Sequence, residues 1–281
     1  MERQEFPEFD HPWRTVDWGG RDQMETFLRE FQINNPEVSH LRILLHGHTG
    51  AGVSSFVNSV GSVFQHRITV SAPAAPKTML PCTKRFRSYG IRSCDGGRLP
   101  FILSDVMGLQ DGDKSGNHPD DVMNALMGHV KENYVFSPIS PLTAEDPHYI
   151  SNPALNDKAH CLVSVLSATH VYLLGDSIAR ALRSIRFRAS ELDVPHMVVL
   201  THVDEACPLV LKDLRTIYKS RRVEEKMQRC SDILGILPNQ IFPVKNYHEE
   251  LDTNNDMDVL ILQAMKQIIN CANDYVNVLR Q

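Results

Sequence analysis

Between Gly47 and Ser55 the chain reads "GHTGAGVSS", with glycines at 47, 50 and 52 and hydroxyls at Thr49, Ser54 and Ser55. Glycines at this spacing let successive backbone N–H groups turn toward one phosphate, and a helix starting directly afterwards adds its positive end. The pattern GxxxxGK followed by Ser or Thr works in this way. Gly47, His48, Thr49, Gly50, Ala51, Gly52, Val53, Ser54 and Ser55 are therefore the candidate phosphate-binding residues, with the Ser54 hydroxyl as a candidate Mg²⁺ ligand.

The lysine of that pattern is replaced by Val53. If such a lysine makes two charge-assisted contacts of about 1.5–3 kcal/mol each, its loss weakens binding by a factor on the order of 10² to 10⁴. His46, His48, Lys77 and Lys84 are the candidates to supply a replacement donor from another position. Val53 is also in phase with Phe56, Val57 and Val60, so it extends the apolar stripe of the following helix.

Two further motifs follow in order. "FILSDVMG" ends an apolar run at Asp105 and sets Gly108 three residues later, a DxxG spacing that suits a carboxylate near Mg²⁺ and a glycine N–H near a γ-phosphate. Leu109 stands where small GTPases carry the glutamine that orients water, and Gln110 is one position off. "HMVVLTHVDEA" then presents Thr201, His202 and Asp204 in the manner of the guanine-reading motif, Asn or Thr followed by KxD. Asp204 is placed to accept from N1–H and N2–H₂ of guanine, a donor pair that adenine lacks. His202 replaces the lysine that packs along the base. The alternative for Asp204 is a turn residue without a ligand. The loop holding Lys245, Asn246 and Tyr247 falls where such a site closes over the base. The 13 histidines form no HExxH-type metal pair with a third ligand, and no GxSxG elbow or Cys-His signature is present.

Positioning these groups requires strands that end at the motifs. The apolar runs at 41–45, 85–92, 99–104, 161–166, 196–200 and 240–244 predict six strands, mostly of the kind buried on both faces. Longer amphipathic stretches alternate with them, giving a βαβα pattern. A helix is expected at about 22–31, with Asn35 before Pro36 as its stop. A second should start at Pro119, with Asp120 and Asp121 complementing its positive end, and a third should cover 256–279. Residues 134–157, rich in Pro, Ser and Asn, show neither period and read as an ordered insertion or a mobile lid.

Composition excludes several classes. A formal net charge of -5 offers no electrostatic basis for binding nucleic acid or an anionic membrane. No stretch reaches the length of a membrane span, and the polar start "MERQEFPEFDHPW" has no apolar leader, so a cytoplasmic location is expected. The six cysteines lack CxxC spacing and read as free thiols.

The lead-in "EFDHPWRTVDWG", "PEVSHLRILLHGHTGAGVSSFVNSV", "SDVMGL" and "VVLTHVD" together resemble the interferon-induced protein 44 family of vertebrates, from about Glu5 to the last helix. The resemblance implies a cytoplasmic, GTPase-like protein of the interferon response to viruses. Longer members of that family carry an additional N-terminal domain, and others often keep the loop lysine. The reading is an α/β, P-loop NTPase (G-domain-like) three-layer fold, a central mostly parallel sheet with helices on both faces. Residues 1–38 form an N-terminal extension with one helix, and 39–281 the G-domain-like part. Two functions stay open: a weak binder of GTP or GDP with Mg²⁺ and little or no hydrolysis, or a pseudo-GTPase scaffold that binds no nucleotide. Unidentified cytosolic proteins are the expected partners, and a homodimer across the nucleotide face is left open.

Overall fold

Strand β1 (Leu41–Gly47) is buried along nearly all its length, with parallel neighbours on both sides. This is where a run such as "LRILLHG" belongs, because a strand covered on both faces needs no polar alternation. The computed structural model describes residues 8–73, 85–110, 118–137 and 139–279. The remaining strands are β2 (Arg87–Arg92), β3 (Arg98–Asp105), β4 (Cys161–Ser167), β5 (His196–Thr201) and β6 (Ile241–Pro243). They form one sheet in the order β2-β3-β1-β4-β5-β6, parallel except for the β2–β3 hairpin. All six strands read from the sequence are present, with ends displaced by two residues or fewer.

Helices cover both faces. Helix α1 (Arg21–Arg29) and α2 (Val53–Gln65) pack with the long C-terminal α8 (Asn255–Val278), which also lies on β1, β4 and β6. Helix α3 (Pro119–Leu126), α4 (Asp176–Glu191) and α7 (Arg221–Leu234) pack in series, with α3 on β1 and α7 on β6. Two short helices, α5 (Val203–Ala206) and α6 (Pro208–Lys212), follow β5. Among the described residues no helix is long and apolar enough to cross a membrane.

Helix α1 ends at Arg29 rather than at the expected 31, with Glu30 as its C-cap. Asn35 has a different task from stopping it. Its buried side chain accepts from the Glu37 N–H and donates to the Val276 carbonyl at 2.8 Å, latching the α1–β1 connection onto α8. The chain before α1 is also tied down. Phe9 N–H donates to Lys219 O, Trp13 N–H to Tyr218 O, and Arg14 to the carbonyls of Pro238 and Ile241. Between α1 and α8, Arg21 pairs with Glu25 at 3.0 Å and with Asp258 at 2.8 Å, and Tyr247 donates to Asp258 at 2.6 Å.

The described residues of 134–157 form no helix or strand, as expected, but they are fastened at several points. Val130 pairs with Tyr149, and the His129 ring stacks on Tyr149 with centroids 4.7 Å apart. Arg42 of β1 donates to Asn156 O, and Asn124 of α3 donates to Leu142 O. An ordered insertion therefore describes this stretch. Asp120 and Asp121 stand in the first turn of α3, as expected, and Asp121 is in addition fully buried and accepts the Leu142 N–H at 2.7 Å.

Burial raises the Asp121 carboxyl to about 6. Its unfolded value is near 4, so protons bind the folded state more tightly, and the resulting stability is lost as pH rises from about 4 through 6. The cost at neutral pH is on the order of 1–3 kcal/mol. Asp121→Asn removes that titration, so its melting temperature relative to the parent should be higher at pH 7.5 than at pH 4.5. A difference between variant and parent that stays constant across this range would refute the assignment.

Candidate functional site

The C-terminal ends of the parallel strands deliver the motifs to one crevice: Gly47 from β1, Asp105 from β3, Thr201 from β5 and the 244–247 loop after β6. Ligand crevices of open α/β sheets lie at this edge. The loop from His48 to Gly52 runs from β1 into α2, whose N-cap Gly52 has φ 88°. The first four N–H groups of any helix lack intrahelical acceptors, so this end of α2 offers donors to an anion.

The loop is held from two sides. On one, Thr49 N–H donates to Leu109 O at 2.8 Å and Leu109 N–H donates to Gly47 O at 2.8 Å, which pairs His48 with Leu109 as a short parallel bridge. Gly108 lies between these bonds, and a Cβ there would come within 3.0 Å of Thr49 N and Oγ1. On the other side, Thr201 Oγ1 donates to Ala51 O at 2.6 Å, and Asn246 Nδ2 donates to Gly52 O at 3.2 Å. Thr201 and Asn246, read from sequence as neighbours of a base, thus hold phosphate-loop carbonyls. His202, at φ 55°, sets Nδ1 2.8 Å from Thr201 Oγ1 and its Cε1 about where it would crowd a Cβ on Gly52.

Ser54 and Asp105 meet as expected, with Ser54 Oγ donating to Asp105 Oδ2 at 3.2 Å. A hydroxyl and a carboxylate are hard oxygen donors that suit Mg²⁺. Val53, the first residue of α2, packs against the core, in line with the apolar-stripe reading. Ser55 is half-buried in the first turn, and Gly50, at φ 82°, is exposed at the loop tip. Asp204 faces Lys245, whose Nζ is 3.9 Å from its carboxylate and 2.7 Å from that of Glu250. Two buried polar atoms of the site make no hydrogen bond among the described residues, Thr49 Oγ1 and Asn246 Oδ1. Unsatisfied atoms of this kind in a crevice are what a polar ligand or water fills.

The candidates to replace the lysine fare differently. His46 points into the sheet core, where Ser164 Oγ sits 2.7 Å from its Nε2 and 2.8 Å from that of His196. Burial lowers His46 to about 4 and His196 well below its usual value, so both rings stay neutral. His48 is buried, with Nδ1 2.9 Å from Thr49 O and its ring 5.9 Å from that of His170. Lys77 and Lys84 lie outside the described residues. Leu109, the position considered for a water-orienting glutamine, is buried and acts through its backbone. His170 and Glu250, the partner of Lys245, were not singled out by sequence reasoning, because neither belongs to a motif.

Comparison with known proteins gives the relatives of the chain and its fold. The chain is 33% identical to interferon-induced protein 44 of Mus musculus over 255 residues, covering 89% of this chain and 58% of that protein. It is likewise 33% identical to interferon-induced protein 44 of Homo sapiens over 257 residues, 91% of this chain and 57% of that one. The chain is homologous to the interferon-induced protein 44 family. It spans somewhat more than half the length of these relatives. Among solved structures, Toc33 from Arabidopsis thaliana, in complex with GDP and Mg²⁺, matches with a TM-score of 0.50 at 13% identity, covering 92% of this chain and 97% of that one. That likeness establishes the fold, a P-loop GTPase-like α/β domain. No protein-family profile matches the chain.

The Thr201 tether is directly testable. Thr201→Val keeps the shape but leaves the buried Ala51 carbonyl without this donor. A loss of about 1–3 kcal/mol in unfolding free energy is expected, read as a lower denaturation midpoint at unchanged m-value. An unchanged midpoint would show that the loop carbonyl does not depend on Thr201.

Proposed function

We propose that this chain binds a guanine nucleotide weakly, with Mg²⁺ and little or no hydrolysis, as a cytoplasmic protein of the interferon-driven antiviral response. The observation that carries the reading is the Ser54–Asp105 pair at 3.2 Å beside a glycine-built loop at the start of α2. Backbone N–H groups of residues 50–55 would cradle phosphate, Ser54 and Asp105 would hold the metal, and Asp204 would read guanine. The metal's contribution when bound is to neutralise phosphate charge. The unsatisfied Thr49 Oγ1 and Asn246 Oδ1 supply further polar contacts at the two ends of the site.

The weakness follows from Val53, which contributes no charge. The absence of hydrolysis follows from Leu109, whose buried apolar side chain offers nothing to orient water. The closed contact of Gly108 with Thr49 also bears on which nucleotide fits. A γ-phosphate needs room next to Gly108, and making it breaks the two Thr49–Leu109–Gly47 hydrogen bonds. At about 0.5–1.5 kcal/mol each, this corresponds to a preference for GDP over GTP of roughly 5- to 150-fold.

The second reading is a pseudo-GTPase scaffold for cytosolic proteins, favoured by the same bridge between Leu109 and the loop, which ties the loop down through the protein's own backbone hydrogen bonds. Calorimetric and thermal-shift titration with Mg²⁺ and GDP, GTP or ATP separates the two. The binding reading expects stabilisation by millimolar GDP, less by GTP, none by ATP, and no phosphate release above background. Val53→Lys should tighten GDP binding by a factor on the order of 10² or more, and Asp204→Ala should remove the discrimination against ATP. No stabilisation at several millimolar guanine nucleotide sinks the binding reading and leaves the scaffold.

A further inference from the structure

On the β5–β6 side of the crevice three charged side chains meet. Asp204 stands in α5, directly after β5, and Lys245 and Glu250 stand in the chain after β6. Lys245 Nζ lies 2.7 Å from Glu250 Oε1 and 3.9 Å from Asp204 Oδ2. Glu250 is itself fixed, because its Oε2 accepts the N–H groups of His248 at 2.9 Å and Glu249 at 3.2 Å. Burial works against its charge, but the His248 N–H and the Lys245 ammonium hold its carboxyl down to about 2. Glu250 therefore keeps its charge at neutral pH.

Ion pairs on an open surface are common and contribute little. This trio differs in its place. The side chains of Asp204, Lys245 and Glu250 are 15%, 26% and 23% exposed, so they are sheltered yet reachable. The two segments that carry them also lean on the phosphate loop, since a Cβ built on Gly52 would meet Asn246 Nδ2 at 3.1 Å and His202 Cε1 at 3.2 Å. Lys245 adjoins Asn246 and Asp204 follows His202 by two positions, so both charged groups border the crevice that the loop forms. An ammonium has three N–H donors. Of its two carboxylate neighbours among the described residues, Glu250 alone is within hydrogen-bond distance, and the gap of 3.9 Å to Asp204 is too wide for a direct bond.

We propose that the Lys245 side chain is a specificity-determining residue, one that selects purine nucleotides carrying an oxygen at C6. The inference rests on the guanine-binding reading above and adds to it a residue outside the three motifs. Lys245 donates to O6 while Asp204 accepts from N1–H and the 2-amino group, so a donor and an acceptor set side by side match one edge of guanine. Adenine presents the reverse, an amino donor toward the ammonium and a bare N1 toward the carboxylate, and a site built for hydrogen bonds rejects a ligand that leaves its polar groups unpaired. Glu250 is a positioning residue: it holds the ammonium off Asp204 and so keeps both groups available to the base.

The test titrates the full chain at pH 7 with Mg²⁺ and either GDP or 6-thio-GDP, reading dissociation constants by ligand-observed NMR, which reaches millimolar values. The thio analogue keeps N1–H and the 2-amino group, and with them the contacts of Asp204, but replaces O6 by sulfur, a weaker acceptor. The parent should bind GDP roughly fivefold or more tighter than 6-thio-GDP. Lys245→Met should weaken GDP by a similar factor and remove the difference between the two ligands, whereas Lys245→Arg should keep it. A merely structural role would weaken both ligands alike and leave their ratio unchanged. If Lys245→Met does not fold, Glu250→Gln takes its place: it keeps an oxygen for the His248 and Glu249 N–H groups but releases Lys245 toward Asp204, and GDP should weaken more than 6-thio-GDP. A parent that binds GDP without discriminating against the thio analogue, or a Lys245→Met variant that keeps the parent's ratio, overturns this proposal alone. A parent that binds no guanine nucleotide at several millimolar overturns it together with the reading on which it rests.

Discussion

The carbonyls of Ala51 and Gly52 are held by Thr201 and Asn246, side chains that arrive about 150 and 194 positions later in the chain. Without these bonds a glycine-rich loop has no reason to keep one shape, since glycine gives up the most conformational freedom on ordering. The sheet supplies the remedy. Parallel pairing of β1 with β4 and β4 with β5 brings the ends of distant strands together, and each end contributes one polar group to the loop. The loop's geometry is therefore a property of the sheet, and its stability is coupled to β5 and to the turn after β6.

The same loop shows how binding capacity is divided between backbone and side chain. Everything that depends on backbone is retained: the positive φ at Gly50 and Gly52, the start of α2, and the close approach at Gly108. What is missing is charge, because Val53 faces the core and the nearest histidine in β1 is buried and neutral. An anion site built from dipoles alone can orient a phosphate, but it lacks the strong charge-assisted contacts that make affinity high.

Much of this was legible in the sequence, and for specific reasons. Strands such as "LRILLHG" and "HMVVLT" are recognisable because burial on both faces leaves no polar positions. The start of α3 was marked by His118-Pro119, and α8 by its long apolar face. The meeting of Ser54 with Asp105 could be read from motif order, since the two motifs end neighbouring parallel strands. Asp121 stands in the first turn of α3 as read from the sequence, but its burial was not legible there, because an acidic residue at a helix start is ordinarily solvated. Its burial depends on Leu142, which lies in a stretch without any period to follow.

Residue types and short-range spacing alone determined the α/β alternation, the glycine cradle, the missing lysine and the ends of most elements. These follow from local propensity, hydrophobic period and turn chemistry, all of which act over a few residues. Tertiary structure alone decided that Thr201 and Asn246 grip the loop, that Leu109 pairs with it, and that Asp121 is buried against the Leu142 N–H. Hydrogen bonds and charges reach only a few ångströms, so their partners are set by which surfaces the packed sheet brings together, and no local pattern in the chain carries that information.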